Sequence, residues 1–162
     1  AAGKLLADFP AAIQEVNMTT TVQSILRQKG SQVWWVTPDA SILQALELMA
    51  ERKIGAVLVM EAGSLVGIFS ERDYARRGIL LNRGPETPIS QVMTYPVYCV
   101  TPQQTLEECM GLMTEKHIRH LPVADGETIL GVISIGDVVK EVIADQAHLI
   151  QGLENYILGK RA

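Results

Sequence analysis

The sequence predicts an α/β (α+β) fold made of two β-α-β-β-α repeats. Three observations lead to this prediction: an internal repeat, one order of strand-like and helix-like segments in both copies, and apolar strands with little polar alternation. When residues 36–74 are laid on residues 100–138 without a gap, eleven of the 39 pairs are identical. Unrelated segments of that length would share about two or three identities. Apolar strands without alternation indicate sheets that are covered on both faces.

Each copy opens with a short strand that ends at Thr-Pro, VWWVTP in the first copy and VYCVTP in the second. Proline closes such a strand because its nitrogen has no hydrogen to donate to the ladder. A helix follows, with Ser41 or Thr105 near its start, and its apolar residues recur at the i, i+3, i+4 and i+7 spacing of an amphipathic helix. These residues are Ile42, Ala45, Leu46 and Met49 in the first copy and Leu106, Cys109, Met110 and Met113 in the second.

The remainder of each copy predicts a β-hairpin and a second helix. The strand GAVLVM, the turn EAGS and the strand LVGIFS form the first hairpin; HLPVA, DGET and ILGVIS form the second. Turns of this length that contain glycine are common in hairpins. Ser70 and Ser134 end the last strand of each copy and open the second helix. Apolar residues around Ile25 and Ile89 predict a short helical segment ahead of each copy.

The repeat divides the chain into four parts. Residues 1–17 are an upstream extension or a cloning remnant that precedes a plausible start at Met18. Residues 18–84 hold the first repeat with its leading helix, 85–143 the second repeat, and 144–162 a C-terminal helix. The segment LNRGPETP, rich in turn residues, is interpreted as the linker between the copies. The amphipathic C-terminal stretch packs either on a partner or on its own chain.

Composition excludes several classes of protein. Apolar residues make up 48% of the 162 residues and charged residues 20%, unlike a disordered chain. A net charge of −4 disfavours nucleic acid as a partner. The two cysteines form no CxxC pair and fit a reducing cytoplasmic location. The longest apolar run, 54–60, is far below the roughly 18 residues of a membrane span, so no membrane association is expected.

The motif Ser-x-x-Asp occurs at the same position of both copies, at Ser70/Asp73 and Ser134/Asp137. One interpretation is a helix cap, in which serine accepts from a free backbone N–H and the acid complements the helix dipole. The other is a nucleotide site. There the helix N-terminus offers N–H groups to phosphate, and the aspartate accepts from two ribose hydroxyls. Duplication after a shared Gly-x-x favours the second interpretation.

The order of these motifs resembles the CBS domain, named after cystathionine β-synthase. The segments TEKHIRHLPV and GVISIGDVV are especially similar to that family, and the resemblance extends over residues 18–143. It implies two repeats packed by pseudo-twofold symmetry, as in a stand-alone tandem pair of regulatory type. It also implies clefts that bind an adenosine nucleotide: AMP first, with ADP, ATP, NAD or S-adenosylmethionine as alternatives.

The resemblance also implies the residues of two sites. In this family the aspartate holds the ribose, the serine lies near ribose or phosphate, the middle strand flanks the adenine, and the opening threonine comes from the other repeat. One site would combine Thr101 with Gly55, Ala56, Ser70, Arg72 and Asp73. The other would combine Thr37 with Arg119, His120, Leu121, Pro122, Ser134 and Asp137.

The two half-sites differ in their arginines. Arg119 stands where the first copy has Gly55, and Arg72 stands where the second has Gly136. Because arginine can bind phosphate through two parallel hydrogen bonds, each half-site has one distinctive phosphate ligand. Asp137 with Arg119 forms the more complete set. Four arginines between residues 72 and 83 are interpreted as a solvated helix face, or as a surface for a phosphate-rich ligand or acidic partner.

The sequence shows no pattern for catalysis or metal binding. It has no GxSxG motif and no P-loop, and the spacing of Cys109, His117 and His120 fits no compact ligand set. We therefore expect neither an enzyme nor a catalytic cofactor. The predicted function is an adenosine-nucleotide sensor that signals by a conformational shift, pairs as a homodimer and acts on a protein target that the sequence does not identify. Two alternatives stay open: a purely structural interaction module without ligand, and a regulatory fragment of a larger enzyme or transporter.

Overall fold

The computed structural model describes residues 20–158, and residues 1–17, with the interpretation given to them above, lie outside this range. Contacts within the chain group the described residues into two compact units. The first unit comprises residues 30–100 and 122–132. The second comprises residues 20–29, 101–121 and 133–158.

A three-stranded sheet forms the centre of the first unit. Strand β1 (Trp35–Val36) pairs in parallel with β2 (Ala56–Glu61), which pairs antiparallel with β3 (Ser64–Ser70). A parallel pair needs a crossover connection, and helix α2 (Ile42–Arg52) provides it. Helix α1 (Val22–Lys29) precedes β1 in the chain and belongs to the second unit.

The apolar face of α2 packs on the sheet. Ile42, Ala45 and Met49, spaced as the sequence pattern requires, are almost fully buried. They join a core that contains residues from two strands and from the 3-10 turn Ile89–Gln91 with its flank; the other members are Val57, Val59, Phe69, Ile89 and Val92. The predicted amphipathic helix is thereby confirmed for the first copy.

Helices dominate the second unit. Helix α4 (Leu106–Lys116) contacts the long helix α5 (Ile135–Ile157), and α5 also contacts α1. The chain just before α1 is tied to the start of α4, since Leu106 N–H donates to the Thr20 carbonyl at 3.0 Å. The Thr20 hydroxyl also donates to Asp145 on α5 at 2.5 Å. The predicted leading helix and the predicted long C-terminal helix are therefore both present.

The third strand pair, β4 (His120–Asp125) and β5 (Thr128–Ser134), forms a two-stranded sheet. Its central residues belong to the first unit and its ends to the second. Both hairpins have two-residue connections. Ala62 and Gly63 both adopt positive φ in the first, as in a type I′ turn, whereas Gly126 is at φ +59 in the second, as in a type II′ turn. Each connection is shorter than the four-residue segment in the sequence because its outer residues continue the strands.

The internal repeat is exact in the structure for three elements. Helix α2, β2 and β3 coincide with α4, β4 and β5 at the offset of 64 residues. The helix ends match as well: Ser41 and Thr105 both form capping boxes, and Lys53 and His117 both end their helices in the left-handed conformation. The mixed α/β class and the duplicated helix-hairpin unit predicted from the sequence are confirmed.

Two predicted elements differ from expectation. VYCVTP contributes only an isolated bridge between Val100 and Val123, where its counterpart forms β1. In the first copy Leu58 N–H donates to the Trp34 carbonyl at 3.1 Å; Pro122 replaces Leu58 in the second copy and has no N–H to donate. The helix after Ser70 is also short. It consists of α3 (Glu71–Asp73), a π-helical stretch Tyr74–Gly78 and a 3-10 turn Ile79–Leu81.

Candidate functional site

The first Ser-x-x-Asp motif lies where β3 ends and the helical turn Glu71–Asp73 begins. Ser70 has extended backbone angles and caps this turn. Its hydroxyl accepts from Asp73 N–H at 3.3 Å, and its own N–H donates to Asp73 Oδ2 at 2.9 Å. The Ser70 hydroxyl also donates to the same carboxylate oxygen at 2.8 Å. The cap interpretation of this motif is thus correct, and the cap fixes the direction of the carboxylate.

The second oxygen of this carboxylate is held by Thr94. The Thr94 hydroxyl donates to Asp73 Oδ1 at 2.7 Å. Its backbone is fixed against β3, because Thr94 N–H donates to the Ile68 carbonyl at 2.8 Å and Ile68 N–H donates back at 3.0 Å. Both oxygens of Asp73 therefore face hydroxyl groups. A carboxylate in this setting can exchange those hydroxyls for the two hydroxyls of a ribose.

The start of β2 lies beside the motif. Ala56 pairs with Ser70 across the sheet, and Glu71 N–H donates to the Gly55 carbonyl at 3.2 Å. A cleft of about 500 Å³ opens at this point. It is lined by Leu46, Met49, Ala50, Lys53, Ile54, Gly55 and Glu71. Its volume falls within the ~300–1,000 Å³ of small-molecule sites, and its lining is part apolar and part polar, with one charge of each sign at Lys53 and Glu71.

The arginine cluster is partly used within the chain. Arg77 donates to the Met93 carbonyl at 2.8 Å, and Arg83 donates to Gln91 at 2.6 Å. Both contacts tie the segment after Asp73 to residues that follow the linker. Arg72 is half-buried beside the motif, while Arg76 is exposed. Arg77 and Arg83 therefore stabilise the fold through these contacts, and the cluster is not a uniformly solvated helix face.

The second Ser-x-x-Asp motif repeats the cap. Ser134 N–H donates to Asp137 Oδ2 at 2.8 Å, and Asp137 N–H donates to the Ser134 hydroxyl at 3.2 Å. Ile135 N–H donates to the Arg119 carbonyl at 2.9 Å, as Glu71 does to Gly55 in the first copy. The backbone frame of the two half-sites is thus the same.

The carboxylate of the second motif has a different partner. Lys29, the last residue of α1, donates its ammonium to Asp137 Oδ2 at 2.6 Å. Burial favours a raised pKa for Asp137, but Lys29 and the hydrogen bonds from Ser134 outweigh burial and lower the pKa of the carboxyl below its ordinary value. Asp137 is therefore held as a carboxylate, and a hydroxyl that binds at Oδ2 would take the place of the Lys29 ammonium.

The other predicted site residues are distributed over both units. Gly55, Ala56, Ser70, Arg72 and Asp73 all lie in the first unit, together with Thr37 and Pro122. Arg119, His120, Leu121, Ser134 and Asp137 lie in the second unit, together with Thr101. Each motif is thereby brought together with the start of its own hairpin. The contribution of each opening threonine to the site of the other copy, and of Pro122 to the second site, stays a prediction.

Thr37 and Thr101 occupy matching exposed positions. Thr37 follows β1, and its hydroxyl bonds Asp39, which lowers the pKa of that carboxyl. Thr101 N–H donates to the Gln104 side chain at 2.8 Å. Both threonines therefore lie in tight turns that open the helix of their copy.

Sequence reasoning missed Lys29 and Thr94, the partners of the two aspartates. Both lie just ahead of a copy, outside the stretch where the repeat is strongest. The leading segments repeat at an offset of 67 rather than 64, because Val22 N–H donates to the Gln104 carbonyl as Ile89 N–H donates to the Ala40 carbonyl. In that register neither Lys29 nor Thr94 has a like counterpart, so the repeat does not reveal them.

Nowhere in residues 20–158 do three or more His, Cys, Asp or Glu side chains cluster in a way that suits a metal ion. None of the helices in the described range combines the length and apolar character that a membrane crossing requires.

Both cysteines are free thiols. Burial raises the pKa of Cys99, and burial with the nearby Glu108 charge raises the pKa of Cys109 to about 11. Both thiols therefore stay protonated at neutral pH and are poor nucleophiles.

Comparison with known proteins agrees with the duplicated fold. A family model described as the CBS domain matches residues 15–79 and 89–144. The solved structure of a protein with CBS domains from Burkholderia ambifaria MC40-6, whose description assigns it to signal transduction, is 47% identical; the match covers 78% of this chain and 96% of that one, with a TM-score of 0.75. A CBS-domain containing protein from Agrobacterium tumefaciens is 38% identical over 75% of this chain and 98% of its own, with a TM-score of 0.69.

A curated relative extends the match over almost the whole sequence. The mitochondrial CBS domain-containing protein CBSX3 from Arabidopsis thaliana is 34% identical over 161 residues. The match covers 93% of this chain and 78% of that protein.

Proposed function

Because this chain belongs to the CBS-domain family, we propose that it is a regulatory module that binds an adenosine nucleotide and signals its level. One observation carries the proposal: two aspartates at equivalent strand-to-helix junctions are held by exchangeable hydroxyl or ammonium groups. A carboxylate fixed by its own helix cap is preorganised to accept from a ribose. The CBS identity gives this geometry its nucleotide interpretation.

The ligand is an adenosine compound, with AMP first and ADP, ATP or NAD as alternatives. In the first site, the apolar residues Leu46, Met49 and Ile54 of the cleft beside Gly55 would contact the purine ring, and Asp73 would hold the ribose. Arg72 is the third residue of that motif, and Arg119 directly precedes β4 in the second copy. These arginines would bind the phosphates. The second site is assigned to His120, Leu121, Pro122, Ser134 and Asp137, with Thr37.

Signalling follows from the partners of the two aspartates. A ligand shifts a conformational equilibrium only by the difference in its affinity for the two states. A ribose that displaces Lys29 from Asp137 breaks a contact between α1 and α5. Such a ligand binds more tightly to a conformation that lacks this contact than to one that has it. The proposed output is a homodimer acting on a protein target in the cytoplasm. Two free cysteines in the described range support a reducing location.

A second candidate function is a structural interaction module without ligand. The specific observation in its favour is that Ser70 and Ser134 both cap helices, which accounts for both serines without a nucleotide. Neither candidate includes catalysis: both thiols are protonated at neutral pH, and the serine of each motif is bonded within its cap.

Thermal unfolding in the presence of AMP, ADP, ATP, NAD and S-adenosylmethionine distinguishes the two candidates. A ligand at 100 times its dissociation constant adds about 2.7 kcal/mol, which raises the midpoint of a domain this size by several degrees. We expect such a shift with at least one adenosine compound and none with adenine lacking the ribose. No shift with any of the five would favour the interaction module.

A further inference from the structure

The turn that follows the π-helical stretch of the first unit exposes three consecutive apolar side chains. Ile79, Leu80 and Leu81 are exposed by 57, 74 and 58%. Gly78, directly before them, is buried, and a Cβ there would lie 2.9 Å from the Tyr74 ring. The chain therefore packs closely just before the turn and then directs three large apolar residues to solvent. An apolar patch rimmed by polar residues is typical of an interaction site.

Backbone hydrogen bonds close this turn, so its side chains are presented in one arrangement. Asn82 adopts the left-handed conformation, and its N–H donates to the Ile79 carbonyl at 3.1 Å. Arg83 N–H donates to the Gly78 carbonyl at 3.0 Å. The side chain of Arg77 adds the contact to the segment after the linker described above. A surface that is ordered before binding loses little conformational entropy when a partner arrives.

Positive charge surrounds the apolar turn. Arg76 and Arg77 precede it and are exposed, and Arg83 follows it and is half-buried. Arg77 and Arg83 donate to uncharged groups, a backbone carbonyl and a side-chain amide. Among residues 20–158, none of these three arginines forms an ion pair with a carboxylate. The turn is therefore flanked by three guanidinium charges that the described part of the chain does not neutralise.

The second copy does not repeat this combination of charge and apolar exposure. Counted from the aspartate of each motif, residues 76, 77, 80 and 81 correspond to Lys140, Glu141, Ala144 and Asp145. Two of these four counterparts are acidic, one is alanine, and all four belong to the regular helix α5. The duplicated fold therefore requires neither the arginines nor the exposed leucines of the first copy, which leaves them for a role other than folding.

We infer that this surface, defined as residues 76, 77, 79, 80, 81 and 83 and called the Arg/Leu surface, docks an acidic amphipathic segment of a target protein. Large apolar side chains of that segment would cover the exposed turn, and its carboxylates would bind the arginines. Arginine binds a carboxylate through two parallel hydrogen bonds, which gives direction as well as attraction. The inference rests on the proposed function in one respect, the action on a protein target, and it requires no nucleotide.

Other occupants match only part of the Arg/Leu surface. A polyphosphate or a nucleic acid would bind the arginines but leave the apolar turn uncovered. An anionic membrane would use both, yet the net charge of −4 opposes the approach of the whole chain to an extended anionic surface. A short acidic segment interacts mainly with charges within about one Debye length, roughly 8 Å at physiological salt. The local arginines therefore favour such a segment despite the acidic chain.

The size of the Arg/Leu surface predicts weak binding. Its six residues are about a quarter of the roughly 20–30 residues that each partner contributes to a standard interface. Part of the attraction is between exposed charges, so salt should screen it. We therefore expect a dissociation constant of about 10–100 µM that rises several-fold between about 0.05 and 0.3 M salt.

Fluorescence anisotropy with the full chain and a labelled synthetic peptide tests the docking. In the peptide, pairs of leucine alternate with pairs of glutamate. Its dissociation constant should be below about 200 µM. Two control peptides, one with lysine in place of glutamate and one with serine in place of leucine, should bind at least about tenfold more weakly. A glutamate peptide that does not bind in this range, or binds no better than its controls, would overturn the inference.

Substitutions locate the contact on the chain. Arg76→Glu and Leu80→Ser should each weaken binding of the glutamate peptide by at least about fivefold. The matched controls are Arg27→Glu on α1 and Leu43→Ser on α2, which make the same changes at exposed positions outside the Arg/Leu surface. Both controls should bind like the parent, and circular dichroism verifies folding of each variant. Binding by Arg76→Glu and Leu80→Ser as tight as by the controls contradicts the proposed contact.

Two sedimentation experiments test the other occupants. Vesicles of phosphatidylcholine and phosphatidylglycerol should leave the parent in the supernatant. Cosedimentation that Leu80→Ser abolishes would assign the surface to a membrane and overturn the inference. In sedimentation velocity without peptide, the parent and Leu80→Ser should have the same mass. A smaller mass for the variant would assign the surface to a second copy and also overturn the inference.

The AMP-induced shift in the midpoint of thermal unfolding is a separate readout. It should be the same in the parent, Arg76→Glu and Leu80→Ser, because the Arg/Leu surface lies outside the residues assigned to the nucleotide. If the parent shows no shift with any adenosine compound while the glutamate peptide binds as described, the proposed ligand fails and this surface stands. If the shift is present and the peptide does not bind, the docking surface fails and the nucleotide proposal stands.

Discussion

Asp73 and Asp137 occupy the same position of the repeat but are held by different groups. Asp73 accepts from the hydroxyls of Ser70 and Thr94, whereas Asp137 accepts from the Lys29 ammonium. Both carboxylates are fixed by the same type of helix cap. The duplicated motif therefore conserves the placement of the carboxylate between the two copies, while the group that a ligand must displace has changed.

The difference originates ahead of each copy rather than in the motif. In the register of the backbone contacts, at an offset of 67 residues, Lys29 corresponds to Pro96 and Thr94 to Arg27. A hydroxyl is a neutral donor that a ribose hydroxyl can replace like for like. An ammonium ion that is displaced stays close to the site, where it can meet an anionic phosphate. Because each half-site also has one arginine, both should prefer phosphorylated adenosine compounds, and the second should do so more strongly.

The helices that follow the two motifs differ as well. After Asp137, α5 continues unbroken to Ile157, whereas after Asp73 the chain forms a π-helical stretch that ends at Gly78. Gly78 is buried, and a Cβ there would lie 2.9 Å from the Tyr74 ring. π-Helical turns are often found at functional sites. The first copy thus ends its second helix within about three turns, whereas the second copy continues it as the 23-residue helix α5.

Replacing each aspartate should have the largest effect. Asp137→Ala should remove the nucleotide stabilisation that comes from the second site, and Asp73→Ala that from the first, about 2.7 kcal/mol for each site whose ligand is at 100 times its dissociation constant. We expect the larger loss from Asp137→Ala, because its half-site has Arg119 and Pro122 of the family pattern, where the first copy has Gly55 and Leu58. Thermal unfolding of both variants with and without AMP measures this. Equal retention of the shift in both variants would contradict the site assignment.

Removing the Thr94 hydroxyl should affect only the first motif. In Thr94→Val, Asp73 Oδ1 loses its donor in a half-buried position, which should cost about 1–2 kcal/mol of unfolding free energy. Thr94→Ser keeps a hydroxyl and is the matched control, with a smaller loss. Chemical denaturation compares the three proteins. A valine variant as stable as the parent would show that Thr94 does not hold Asp73 in solution.

Lys29→Met removes the ammonium that Asp137 binds and keeps an unbranched side chain in α1. The ion pair is partly exposed, with 41% of the Lys29 side chain and 25% of the Asp137 side chain accessible, so its loss should cost under about 1 kcal/mol. Adenosine should then bind more tightly, because no ammonium has to be displaced. Arg27→Met removes the same charge from an exposed position of α1 and is the control. Identical adenosine affinity in both variants would contradict a role for Lys29 at the site.

The smallest effect is on the pH dependence of stability. Since the folded state lowers the pKa of Asp137 below 3.8, the ion pair stabilises the protein above that pH, and this stabilisation is lost as the pH falls through the folded pKa. The difference in unfolding free energy between the parent and Lys29→Met should therefore be present at pH 7 and shrink below about pH 4. Urea denaturation from pH 7 to pH 3 measures it. A difference in unfolding free energy that stays constant across this range would show that the stabilisation by Lys29 does not come from its ion pair with Asp137.

The repeat predicted most of the fold because its signals are local. Apolar spacing and the capping residues Ser41 and Thr105 determine the helices, and glycine-containing turns determine the hairpins. The prediction of a strand at the start of the second copy was wrong, because its pairing depends on a backbone N–H donor that Pro122 lacks. The apolar spacing also did not predict that the helix after Ser70 is short. Its π-helical turn packs the Tyr74 ring against Gly78, and the spacing of apolar residues does not report such a contact.

The candidate site was predicted only in part. Both Ser-x-x-Asp motifs and their caps could be read from the sequence because all their hydrogen bonds lie within three residues. Lys29 and Thr94 could not, because their contacts to the aspartates join segments that are 108 and 21 residues apart. No local pattern specifies which side chain will face a carboxylate across such a distance.

Isothermal titration tests most directly the central claim, that the two Ser-x-x-Asp carboxylates hold an adenosine nucleotide. The nucleotide that gives the largest thermal shift is titrated into the parent, into each single alanine variant and into the Asp73→Ala/Asp137→Ala double variant. We expect saturable binding in the parent, reduced stoichiometry or affinity in each single variant, and no binding in a folded double variant. Binding by the double variant as tight as that by the parent would contradict the claim.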